Sequence, residues 1–257
     1  MADSALQTVD RALAILELLA DHPEGLRLVD IAAAMSLNKV TVHRLLATLL
    51  ARDFVEKRED SGRYLPGLRL VEISSRRLNS LELKTEAQPW LRRLVGLAGQ
   101  PVHLAILDQN EIVYIEKIET VHSLRMYSQI GKRSPVYCTA LGKVLLGAFT
   151  DPEAAAILQR AGIHAYTPMT LTDPQLILDE VREARRCGYA LDRQEHEPGV
   201  FCAAAPVHDY RGQIIAAVST AGSRQDFLND PASPLIGWLL ETAAAVSRRM
   251  GYVEPEK

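Results

Sequence analysis

The stretch Leu28-Val29-Asp30-Ile31-Ala32-Ala33-Ala34-Met35-Ser36-Leu37-Asn38-Lys39-Val40-Thr41-Val42-His43-Arg44-Leu45-Leu46-Ala47-Thr48-Leu49-Leu50-Ala51-Arg52 decides the amino-terminal fold. Its first part, Leu28 to Met35, has the length and apolar content of a short helix. Ser36-Leu37-Asn38 is a polar turn, and Asn38 is placed to cap the helix that follows. From Lys39 to Arg52, Val42, Leu45, Leu46, Leu49 and Leu50 share one helical face, while Lys39, Val40, His43, Arg44 and Ala47 fall on the other. The first face packs, and the second is left for a partner. Upstream, Val9, Ala12, Leu13, Leu16 and Ala20 repeat with the same period until His22-Pro23-Glu24-Gly25 stops them. Downstream, Phe54 to Lys57 and Arg63 to Leu65 flank Glu59-Asp60-Ser61-Gly62, a hairpin turn with Gly where positive φ is needed. Helix, helix, turn, helix and hairpin, in that order, describe a winged helix-turn-helix, whose second motif helix enters the major groove of double-stranded DNA.

Charge supports this reading. The whole chain of 257 residues carries a net charge of -3, which argues against a generic polyanion binder. From Leu37 to Ser80, however, nine basic residues stand against five acidic ones, leaving that stretch at +4 and the remainder at -7. A small nucleic-acid module joined to a larger acidic domain has this segregation. Lys39, Thr41, His43 and Arg44 are the candidates for groove and nearby phosphate contacts, with Arg58 and Arg63 reaching from the wing. A sensor acting only through protein partners has no need of such a helix face beside a basic hairpin.

At 47% hydrophobic and 24% charged, the composition excludes disorder and collagen-like repetition. The longest apolar runs, such as Val200 to Val207, fall far short of the roughly eighteen residues that span a bilayer. No basic segment followed by an apolar one opens the chain, so a cytoplasmic protein without a membrane partner is expected. Cys138, Cys187 and Cys202 are odd in number and widely spaced, which suggests neither a disulfide framework nor a thiolate metal site, and no cofactor is expected.

Leu68 to Leu83 reads as a further amphipathic helix with Leu68, Val71, Leu78 and Leu81 on its apolar side, a connector expected to pack against a second subunit. Trp90 to Ala98 is helical. Strands are expected at Val102 to Leu107, Ile112 to Ile118 and Ser123 to Tyr127, then helices at Ala140 to Phe149, Pro152 to Ala161 and Gln175 to Cys187. Strands return at Val200 to Val207 and Ile214 to Thr220 before a last helix from Leu235 to Met250. This order is α+β, with an antiparallel sheet and helices on its faces.

Several motifs together resemble the IclR family of bacterial transcription regulators. They are Thr8-Val9-Asp10-Arg11-Ala12-Leu13, Val42 to Leu49, Thr139-Ala140-Leu141-Gly142-Lys143, Gly188-Tyr189-Ala190-Leu191-Asp192, and the run from Glu195 to Val207. The resemblance implies a winged helix-turn-helix over residues 1–67, a linker and dimerisation helix over 68–83, and a GAF-like effector-binding domain over 84–257. It also implies a homodimer or dimer of dimers on a roughly palindromic operator. Many relatives carry Ser where this chain has Val40, a change that bears on which operator is preferred, since Val40 can meet a thymine methyl. The stretch from Leu124 to Arg133, Pro135, Tyr137 and Met250-Gly251-Tyr252 look closest to the KdgR subgroup, which responds to 2-keto-3-deoxygluconate. By that likeness the protein represses a sugar-acid or other organic-acid operon and is released by a small carboxylate.

Two readings of the second domain's chemistry compete. In the first, a helix starts at Ala140, and the amides of Ala140 and Leu141, lacking internal partners, bind the carboxylate of the effector. The resemblance completes that pocket with Ser123, Met126, Asp192, Cys202, Ser219 and Ala221, the last standing where some relatives have Ser. In the second, Cys202, His196 and Asp192 form the nucleophile, base and orienting acid of a hydrolase. Sequence proximity is poor support for the latter, because such groups normally converge from separate elements and Cys202 lies in an apolar strand.

Overall fold

The computed structural model describes residues 7–79, 82–119, 128–223 and 234–253. The chain divides into two compact units, Met1–Ser80 and Leu81–Lys257.

In the first unit, α1 (Gln7–Ala20), α2 (Leu28–Ala34) and α3 (Lys39–Leu50) precede a hairpin of β2 (Val55–Lys57) and β3 (Arg63–Pro66), and α4 (Leu68–Asn79) follows. The expected stripe of α3 does pack: Val42, Leu45, Leu46 and Leu49 are buried with Ile15 and Leu19 of α1, Ile31 of α2, and Val55 and Tyr64 of the hairpin. Asn38 caps α3, its Oδ1 accepting from the Thr41 amide at 2.8 Å. The helix stops at Leu50 rather than Arg52, because the chain reverses through Asp53 at φ 60°. A short strand not anticipated from the sequence, β1 (Leu26–Arg27), pairs with β3, so the wing has three strands in the order β1-β3-β2. Gly62 closes the hairpin at φ 66°, a conformation that a side chain disfavours.

In the second unit, α5 (Glu82–Ala98) begins well before the expected Trp90 and continues through Pro89. Leu83, expected in the linker helix, therefore belongs to α5, while α4 ends at Asn79. The sheet is antiparallel, of six strands: β4 (Val102–Asp108), β5 (Glu111–Ile118), β6 (Arg133–Pro135), β7 (Ala190–Arg193), β8 (Phe201–His208) and β9 (Ile214–Gly222), in the order β6-β5-β4-β9-β8-β7. Neither β6 nor β7 was expected from the sequence, and the strand expected at Ser123 to Tyr127 lies outside the described residues. Helices α6 (Ala140–Leu146), α7 (Asp151–Ala161) and α8 (Pro174–Cys187) share one core with Ala105, Tyr114, Ala190, Ala204 and Ala217. Alternation along the strands sends Val102, Leu104, Val207 and Val218 elsewhere, and α5 and α9 (Leu235–Arg249) pack against each other and against β4 and β8. Residues 103, 192, 202 and 219 therefore share the parity that faces α6.

Candidate nucleic-acid interface and a polar cavity beside the sheet

The outward face of α3 is built as its periodicity dictates. Lys39, His43, Arg44 and Ala47 are exposed, Asn38 is exposed beside its cap bond, and Val40 is 71% exposed, an unusual position for a bare isopropyl group. Thr41 is half-buried at the edge of this face. Arg58 is exposed at the wing turn, where its amide and carbonyl close the hairpin with Arg63 and Gly62. Arg63 differs: its guanidinium donates to the Gly25 carbonyl at 2.7 Å and straps β3 to the turn before β1.

In the second unit a cavity of about 40 Å³ opens at the start of α6. Two close contacts position that helix. Thr139 is its N-cap, accepting from the Gly142 amide at 3.1 Å and donating to the Pro135 carbonyl at 2.8 Å. Gly142 lies so near Val136 that a Cβ would sit 2.1 Å from the Val136 carbonyl oxygen, so only glycine lets the helix approach. The cap bond uses the third amide, and Ala140 and Leu141, whose amides precede the helix's own ladder, line the cavity.

The remaining walls come from strands and one turn. Asp192 and Cys202 face each other across the β7–β8 register, and His103 and Ser219 across β4–β9. All four line the cavity. His103 Nε2 lies 2.8 Å from Ser128 Oγ and Nδ1 3.5 Å from Ser219 Oγ, and its ring is tilted against Tyr114 at 5.4 Å. Burial, reinforced by the Lys117 charge, pushes the imidazole down to about 3, so it is a neutral hydrogen-bonding group. Asp192 is 3% exposed, and burial drives its carboxyl up to about 7, opposed by the Glu195 amide that donates to Oδ1 at 2.7 Å and reinforced by the Glu195 carboxylate. Lys132, His196 and Glu197 also reach the cavity, with the His196 ring 5.2 Å from that of Tyr166. Thr167 and Thr170 hold this turn in place by donating to the carbonyls of Gln194 (2.7 Å) and Glu195 (2.5 Å).

Behind the cavity Lys143 is completely buried. Its Nζ donates to Glu195 Oε1 at 2.6 Å, to the Leu191 carbonyl at 3.0 Å and to Glu180 Oε2 at 3.2 Å, tying α6 to β7, α8 and the turn that follows Asp192.

Of the expected pocket residues, then, Ala140, Leu141, Asp192, Cys202 and Ser219 converge on one cavity. Ala221 is fully buried in β9 beside Cys202 and does not line it, and Ser123 and Met126 lie outside the described residues. His103 was missed, though a lone imidazole inside the apolar run Val102 to Leu107 is a signal available in the sequence. The hydrolase reading has no support. Asp192 bonds the backbone amides of Glu195 and His196 rather than an imidazole, and no hydrogen bond joins His196 to Cys202 among the described residues. Burial and the neighbouring Asp192 push the Cys202 thiol far above its ordinary range, the opposite of an activated nucleophile. No group of three or more His, Cys, Asp or Glu among the described residues could hold a metal ion, and no described helix is long and apolar enough to cross a membrane.

A winged helix-turn-helix with an outward basic helix face, joined to an α+β unit with a cavity lined by polar groups, defines a DNA-binding transcription regulator. Residues 8–59 match the IclR helix-turn-helix domain and residues 75–248 the bacterial transcriptional regulator IclR C-terminal domain. The chain belongs to the IclR family. It is 38% identical over 249 residues to the HTH-type transcriptional regulator XynR of Escherichia coli, covering 96% of this chain and 98% of that one. Identity to the E. coli HTH-type transcriptional regulator KdgR is 33%, covering 96% and 94%, and to the E. coli HTH-type transcriptional repressor AllR 30%, covering 98% and 93%. The crystal structure of Thermotoga maritima IclR superimposes with a TM-score of 0.82 at 30% identity, covering 96% of this chain and all of that one.

Proposed function

We propose that the protein represses an operon for sugar-acid or other organic-acid catabolism and leaves its operator when a small carboxylate enters the cavity beside α6. The observation that carries the effector reading is the lining itself: the amides of Ala140 and Leu141 for the carboxylate, with Asp192, neutral His103 and Ser219 for hydroxyl or keto groups. Repression is favoured by the likeness to AllR, a repressor by name. Within this proposal 2-keto-3-deoxygluconate, suggested by the KdgR likeness, is the first effector to try. Smaller hydroxy and keto acids belong beside it in the screen.

On the DNA side Arg44 is the leading contact, pairing with phosphate or in bidentate fashion with guanine, alongside Lys39, Val40, Thr41 and His43 and, from the wing, Arg58. The exposed Leu68 and Ile73 of α4 favour a homodimer reading a palindromic operator, with Leu78 outside the described side chains.

A thermal-shift screen of hydroxy, keto and sugar acids on the native protein and on Asp192→Ala tests the effector reading. A stabilising carboxylate whose effect the variant loses is expected; no response from any acid, or an equal response from both proteins, refutes it.

A further inference from the structure

At one edge of the outward face of α3, sharing Thr41 and Arg44 with it, the first unit carries a second polar feature. A cleft of about 200 Å³ opens between the first turns of α1 and one edge of α3, lined by Thr8 and Arg11 from α1 and by Thr41, Arg44, Leu45 and Thr48 from α3. The spacing explains the convergence. Positions 8 and 11 are one turn apart, and 41, 44 and 48 form a strip of α3 that runs along Leu45 of its buried stripe. Helix α3 contains no carboxylate, and the acidic residues of α1, Asp10 and Glu17, do not line the cleft. Neither Arg11 nor Arg44 has a carboxylate partner among the described residues, whereas Arg182, Arg185, Arg186 and Arg249 of the second unit are all ion-paired. Two arginines lining one cleft with Thr8 and Thr41, and without a carboxylate partner among the described residues, suit an anion with several acceptor oxygens. Leu45, buried in the core of this unit, also lines the cleft, and the Thr48 hydroxyl donates to the Arg44 carbonyl at 3.0 Å.

We infer that this cleft seats a phosphate of the DNA backbone, with Arg11 of α1 and Arg44 of α3 pairing its oxygens. The inference rests on DNA binding and extends the contact from α3 to the opening turns of α1. The contact carries no base information; it fixes the register at which α3 enters the groove.

The test is fluorescence anisotropy on two labelled duplexes of equal length, one from the region upstream of the gene and one of scrambled sequence, each titrated across salt concentrations. Arg11→Gln should weaken both duplexes by the same factor and reduce the slope of log affinity against log salt by about 0.9 for each lost contact. Arg11→Lys should keep the slope, and Thr8→Val should weaken both duplexes with the slope unchanged. Arg186→Gln, on an exposed arginine of α8, serves as the charge control and should match the native protein. An Arg11→Gln variant that melts like the native protein and keeps its slope and affinity overturns the inference, as does a loss confined to the upstream duplex, which would mean base reading. A site for free anions would appear as a melting shift with inorganic phosphate that Arg11→Gln abolishes while DNA affinity is unchanged, and this too overturns it. Native protein that binds neither duplex defeats the DNA assignment itself, a result distinct from failure of the cleft.

Discussion

Replacing Lys143 by Met isolates the cost of the charge network behind the cavity. The ammonium is fully buried and its three acceptors are Glu195, Glu180 and the Leu191 carbonyl. Methionine has a similar unbranched stem and fills the space, so little packing is lost and the variant reports the charge. Without the ammonium, Glu195 is left 4% exposed, with Oε1 retaining only a long contact of 3.4 Å from the Arg193 amide and Oε2 already without a partner. Removing one member of a buried pair costs about 3–5 kcal/mol, a large share of the roughly 5–15 kcal/mol that holds a domain together. With a urea m-value of about 2–3 kcal/mol/M, the unfolding midpoint should fall by about 1–2.5 M. The two tryptophans, Trp90 in α5 and Trp238 in α9, both lie in the second unit, so their fluorescence follows this unit alone. Adding Glu195→Gln removes the stranded charge, and the double variant should recover at least half of the loss. A midpoint for Lys143→Met within about 0.5 M of the native value, or a double variant no better than the single one, would refute the reasoning.

Asp192 makes stability depend on pH with a definite sign. Because its folded value, about 7, lies above the ordinary carboxylate range, the native state holds a proton that the unfolded chain releases, so stability falls as pH rises between about 4 and 7 and levels off above. Asp192→Asn should gain on the native protein across that window when urea midpoints are compared at pH 5 and 7.5, and a constant difference would contradict the assignment. Asn38→Ala removes the cap of α3 and should cost the first unit about 1 kcal/mol by thermal unfolding followed by circular dichroism; a loss under about 0.3 kcal/mol would show that the cap bond is immaterial. Burial holds the thiols of both Cys138 and Cys202 well above their ordinary range. Peptide mapping after brief iodoacetamide treatment of the native protein at pH 8 should therefore find both unmodified, and rapid labelling of Cys202 would reopen the nucleophile reading.

The first unit was legible because its signals are local. The stripe from Val42 to Leu49 has the helical period, and Asn38 sits where its carboxamide meets the Thr41 amide, so helix, cap and outward face follow from spacing alone. The strap from Arg63 to Gly25 joins residues far apart in the chain, and β1 is only two residues long, so neither leaves a periodic trace. Helix α5 runs from Glu82 through Pro89, upstream of the expected Trp90, and a proline inside a helix is a feature that local sequence signals disfavour.

In the second unit the elements were mostly legible and the charges were not. Every residue of α6 is buried, so no amphipathic pattern marks it, and the Gly142-Lys143 pair reveals its purpose only when Val136 and Glu195 are brought against it. Strand β7 reads Ala-Leu-Asp-Arg, too short and too polar to announce itself. Its Asp faces α6 because register pairs it with Cys202, and that placement raises its proton affinity. The same holds for His103, an ordinary imidazole in the chain and a neutral one once the sheet buries it and sets the Lys117 charge across from it. The protonation behaviour of His103 and Asp192 thus follows from the sheet's register, and a sequence carries register only through the hydrophobic alternation that specifies which face is buried. Strands β4, β8 and β9 are largely buried on both faces and β7 is too short to show a period, so the face taken by positions 103, 192, 202 and 219 becomes legible only once the strands are paired. What the pairing adds is the desolvation that lowers the proton affinity of His103 and raises that of Asp192.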